Sequence, residues 1–92
     1  MIKTRNFTEL EIVGARHVLK KLFPHDEFFY CDESLCSTHA ANIGRTKDLS
    51  VSWVDITEGG DLIVWFENID EEVQSYFVRS ICGKPVLVKI GE

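Results

Sequence analysis

The chain has 92 residues, 45% hydrophobic and 27% charged, with a formal net charge of −5. That length leaves room for one domain, residues 1–92, and the apolar content excludes a disordered tail. The acidic balance argues against a direct nucleic-acid binder, which normally carries a strongly basic face.

Thr8 and Glu11 hold the spacing of a capping box, with Phe7 and Ile12 placed as a hydrophobic staple. Ile12, Ala15, Val18, Leu19 and Leu22 follow as an apolar helical stripe. Arg16, Lys20 and Lys21 suit the C-terminal end of the helix dipole, and Pro24 stops the helix. Glu27 to Cys31 is aromatic-rich and reads as a strand. Asp32 is placed to cap a second helix over 33–43, with Leu35, Cys36, His39, Ala40 and Ile43 on one face and Gly44 at its end. Leu49–Ile56 and Asp61–Glu67 read as strands joined by the hairpin connection Thr57-Glu58-Gly59-Gly60. Asn68 and Glu71 suggest another capping box, opening a third helix whose stripe is Ile69, Val73, Phe77 and Ile81 and whose close is Gly83. Val86–Ile90 is a last strand, with Pro85 at its start.

The order α-β-α-β-β-α-β implies an α+β fold: a four-stranded, mostly antiparallel sheet with three helices. In the hairpin, Val51, Trp53, Leu62, Val64 and Phe66 are expected on one face, and Val54, Ile56, Ile63 and Trp65 on the other. If helices cover only one face, the second is an apolar patch, read here as a homodimer interface anchored by Trp65.

Charge is unevenly distributed. Residues 1–47, 48–78 and 79–92 carry +1, −8 and +2. The middle block holds Asp48, Asp55, Glu58, Asp61, Glu67, Asp70, Glu71 and Glu72 with no Lys or Arg. A concentrated negative field repels nucleic acid and attracts basic protein surfaces. The plainer reading of such a block is a solubilising surface, and Asp70 to Glu72 suit a helix start. The basic residues Arg16, Lys20, Lys21, Arg45 and Lys47 are the only footprint for phosphate.

His25, Cys31, Cys36 and His39 have the right atoms for zinc, but the five-residue cysteine spacing lacks the tight Cys-x-x-Cys knuckle of structural sites. Buried thiols with partly exposed histidines are the expectation, with no metal and no cofactor. Cys31 beside His25 or His39 lacks the surrounding motif of a cysteine nucleophile. No phosphate loop, dinucleotide fingerprint, nucleophile elbow or EF-hand loop is present, so no enzymatic activity is expected. Three cysteines without a framework pattern, and no signal-like N-terminus, fit reduced thiols in a cytoplasm.

In length, compact α+β pattern and the acidic Asp48–Glu72 segment, the chain resembles the small acidic anti-restriction (Arn-type) early proteins of T-even bacteriophages. The resemblance implies a dimeric DNA mimic that inhibits a host restriction endonuclease of the McrBC type, without catalytic residues. On that reading the acidic block occupies the partner's DNA-binding surface. The alternatives are an interaction regulator that docks through an apolar sheet face without mimicry, and a small zinc or thiol module.

Overall fold

Helix α1 (Glu9–Leu22) starts where its capping signals place it. The Thr8 hydroxyl accepts from the Glu11 backbone N–H at 3.2 Å, and a Glu11 carboxylate oxygen accepts from the Thr8 N–H at 3.0 Å. The same carboxylate receives both guanidinium nitrogens of Arg5, at 2.7 and 2.8 Å. Phe23 closes the helix, its N–H donating to the Leu19 carbonyl, and Pro24 follows.

In this computed structural model residues 2–31, 33–37, 50–67 and 73–91 are described. Besides α1 they form β1 (Thr4–Arg5), β2 (Phe28–Cys31), β3 (Ser34–Ser37), β4 (Ser50–Thr57), β5 (Leu62–Glu67), β6 (Val73–Ile81) and β7 (Lys84–Lys89). All seven strands join one antiparallel sheet in the order β2-β3-β4-β5-β6-β7, with β1 pairing the far end of β4. The expected four-stranded sheet with three helices is therefore incorrect: the described part is a seven-stranded sheet with one helix.

Two expected helices account for the difference. Over its described part, 33–37, the second is a turn residue followed by strand β3; residues 38–43 lie outside the described residues. The third, expected through Ile81, is strand β6 from Val73 onward, and its proposed cap at Asn68 and Glu71 lies outside the described residues. The physical reason is that four is a multiple of two. Val73, Phe77 and Ile81 share a face in a helix and equally in a strand. Tyr76 and Val78 between them point to the other face, as the strand period requires, and β-branched and aromatic residues favour that choice. Gly83 is a hairpin residue rather than a helix cap. Cys82 and Gly83 both have positive φ (52° and 77°), the signature of a two-residue type I′ turn between β6 and β7. Gly60, at φ 94°, plays the expected part in the β4–β5 connection.

Strand β4 carries an irregularity between Val51 and Trp53: Val51 pairs Phe66 while Trp53 pairs Trp65. Two residues of β4 thus oppose one of β5, a bulge that shifts the side-chain phase. Val51, Val54 and Ile56 all face α1 in consequence, joined by Phe7, Ala15, Leu19, Phe28, Leu35 and Val64 in the buried core. The expected grouping of Val51 with Trp53, and of Val54 and Ile56 with Ile63 and Trp65, is corrected accordingly. Helix α1 touches both edge strands, β2 and β7, so the sheet curls around it. Among the described residues no helix is long and apolar enough to cross a membrane.

Leu35 is fully buried against this core. Leu35→Ala should cost about 2–5 kcal/mol in urea denaturation. Arg5 hydrogen bonds, and then the Thr8 N–H, hold the Glu11 carboxyl at about 2, below its ordinary 4.5. A depressed folded-state value means stability that is present above pH 4.5 and lost as pH falls toward 2. Glu11→Gln should lower the melting temperature at pH 7 and flatten its decline between those two pH values.

Candidate protein-interaction surface

Strand alternation places Trp53 and Asp55 of β4 on the face of the sheet opposite α1, beside Ile63 and Trp65 of β5 and Phe77 of β6. The two indoles stack across the strands with centroids 5.6 Å apart and planes 17° from parallel. Such a cross-strand aromatic pair adds roughly 0.5–1.5 kcal/mol beyond its burial. The Arg79 guanidinium lies over the Phe77 ring at 4.3 Å. Phe29, Val73, Ile81 and Val88 fall on the same face by register, and each is at least 40% exposed. Isolated exposed apolar residues are ordinary; these four are spread over the face, Phe29 and Val88 on its two edge strands and Val73 and Ile81 at the two ends of β6.

Asp55 organises the middle of this surface. One of its carboxylate oxygens accepts from the Ser34 hydroxyl, and the other accepts from the Trp65 indole N–H at 2.9 Å. Three adjacent strands, β3, β4 and β5, are thereby tied by one side chain. It also fixes the orientation of the Trp65 ring. A carboxylate used in this way does not project toward a partner.

The remaining acidic residues do not form one cluster. Glu58 and Asp61 are exposed at the β4–β5 turn. Arg5 reaches the Glu58 backbone carbonyl at 3.5 Å, and Arg79 pairs with Asp61 at 3.4 Å. This end of the hairpin is therefore mixed in sign. Glu67 is half-buried at the other end of β5. At about 3.4 Å per residue, Asp61 and Glu67 are separated by roughly 20 Å of strand. Asp48, Asp70, Glu71 and Glu72 lie outside the described residues.

Of the four residues assigned to a dimer interface, Val54 and Ile56 are buried under α1 while Ile63 and Trp65 lie on the opposite face. Ile63, flanked by Asp55 and Phe77, has no exposed surface; Trp65 is half-buried. His25 is exposed in the turn after α1, Cys31 and Cys36 are half-buried thiols, and His39 lies outside the described residues. Among the described residues no group of three or more His, Cys, Asp or Glu could hold a metal ion. Arg16, Lys20 and Lys21 are exposed on α1, with Lys20 paired to Glu27 at 2.5 Å, which lowers the Glu27 pKa; Arg45 and Lys47 lie outside the described residues. No protein-family model, curated protein or solved structure matches the chain.

Sequence reasoning missed the Ser34–Asp55–Trp65 bridge. Its signal was a lone carboxylate inside the apolar run Val51–Ile56, since a charge in a half-buried strand needs partners. Asp55→Ala strands an indole N–H and a hydroxyl. It should cost about 1–3 kcal/mol in urea denaturation and alter the tryptophan emission. Glu58→Gln, in the exposed turn, should stay within about 0.5 kcal/mol of wild type.

Proposed function

We propose that the protein is a non-enzymatic interaction module that docks on a protein partner through the outer face of its sheet. The observation that carries this reading is the Trp53–Trp65 stack at the centre of that face, with Phe29, Val73, Ile81 and Val88 exposed elsewhere on it. Aromatic side chains already held in place lose little freedom on binding and commonly dominate an interface. Trp65, fixed by Asp55, is the anchor on this reading. A second copy of the chain is one partner such a face accommodates. No cofactor enters the mechanism, and the cytoplasm is the compartment in which it operates.

A second reading is favoured by Glu58 and Asp61, which stand exposed at one end of the hairpin within the −8 block. There the chain inhibits a restriction endonuclease of the McrBC type by occupying its DNA-binding surface. The involvement of Asp55 within the sheet and the pairing of Asp61 with Arg79 leave less negative charge for direct mimicry, so electrostatic steering of a partner onto the apolar face is the better-supported role.

The two readings separate in one experiment. Tagged wild type, a Phe29→Asp/Val88→Asp variant and a Glu58→Gln/Asp61→Asn variant are used to capture partners from a bacterial lysate, with salt and duplex DNA as competitors. Docking through the sheet predicts a partner that survives high salt and DNA and is lost with the Phe29/Val88 variant. Mimicry predicts a partner released by salt and DNA, and affinity reduced by about threefold to thirtyfold in the Glu58/Asp61 variant. Capture unaffected by the Phe29/Val88 variant would remove the first reading.

A further inference from the structure

Gly14 breaks a local rule in the middle of α1. Glycine disfavours a helix interior relative to alanine. A Cβ at this position would meet nothing within 4 Å, and its φ is not in the positive region. Neither packing nor backbone conformation therefore demands glycine. Positions where sequence departs from local preference without a structural reason are where function is expected.

What the missing side chain leaves is space. Gly14 lines a cavity of about 220 Å³ with Glu11, Ala15, Val18, Ile56 and Leu62. A second cavity, of about 310 Å³, shares Val18, Gly60 and Leu62 with the first and continues past Val78 and Pro85 to Lys21. Together they form a groove along the side of α1, on the opposite side of the sheet from the Trp53–Trp65 surface. Val18, Ile56, Leu62, Val78 and Pro85 give the groove an apolar floor, while Asp61, Arg79 and Ser80 join Lys21 at the end of the larger cavity. The size approaches the lower range of small-molecule sites.

The charges along the groove are unequal in availability. Both Glu11 carboxylate oxygens are taken by Arg5. Asp61 is shared with Arg79. Lys21 holds no ion pair with a described residue. A trough with an apolar floor and, among the described residues, one unpaired cation selects a ligand that has an apolar body and one negative charge. Gly14 to Lys21 spans seven residues of helix, on the order of 10 Å.

We propose that this groove binds a small aliphatic carboxylate. Its chain lies beside Gly14 and over Leu62 and Val78, and its head group meets Lys21.

Octanoate, octanol and octylamine serve as probes. Each is titrated into the full chain while methyl NMR follows Val18, Leu62 and Val78. Octanoate should shift these methyls and bind more tightly than octylamine. Lys21→Gln should weaken octanoate by roughly threefold to tenfold and leave octanol unchanged. Gly14→Leu should abolish both while the melting temperature holds or rises, because leucine fills the groove and favours the helix. Absence of methyl shifts with millimolar octanoate would overturn the proposal. So would octylamine binding as tightly as octanoate, or unchanged octanoate binding in a folded Gly14→Leu variant.

Discussion

The bulge between Val51 and Trp53 decides which side chains meet the helix. Strict alternation from Val51 would send Trp53 and Asp55 inward beneath α1 and Val54 and Ile56 outward. The extra residue reverses that phase, so Val51, Val54 and Ile56 all face the helix. A buried carboxylate beneath an apolar helix would be costly, whereas on the other face Asp55 finds Ser34 and Trp65. One irregular step thus places an apolar core on one side of β4 and a tryptophan–carboxylate assembly on the other.

The inner and outer faces then differ in character. Inside, α1 fills the concavity of a sheet that curls far enough for the helix to touch both β2 and β7. The bidentate Arg5–Glu11 pair ties the start of that helix to β1, which itself pairs with β4. Outside, the stacked indoles, the Arg79–Phe77 contact and the Asp55 bridge give a surface whose aromatic side chains are laterally braced. A braced aromatic surface suits recognition, because little order has to be imposed on binding. On the proposed docking mode the hairpin carboxylates lie at the rim, where Coulomb attraction influences encounter more than final affinity.

The helix α1 was legible because local chemistry specifies it: Thr8 and Glu11 reciprocate, and Pro24 follows its end. The strands β2, β4, β5 and β7 were legible from β-branched and aromatic content. Strand β6 was not, because Val73, Phe77 and Ile81 satisfy the helical and extended periods together. Strand β3 misled because Leu35 and Cys36 were grouped on one helical face, although the weak helix formers Ser34 and Ser37 already counted against a helix. In the strand the two side chains fall on opposite faces. The acidic block was plain in the sequence, but its division in space was not. Whether Asp55, Asp61 and Glu67 stand together depends on strand register and on a bulge that no residue type announces. Arg5, nearly at the start of the chain, gave no local indication that it would clamp Glu11.

The side-chain phase of β4 and its neighbours is the claim on which the account rests, and solvent accessibility tests it most directly. Relaxation of methyl and indole protons by a soluble gadolinium complex reports which groups meet water. The account predicts strong relaxation at Val88 and Ile81, intermediate relaxation at the Trp53 and Trp65 rings, and almost none at Val54 and Ile56. Strong relaxation at Val54 and Ile56, with Trp53 protected, would place β4 in the opposite phase and contradict it.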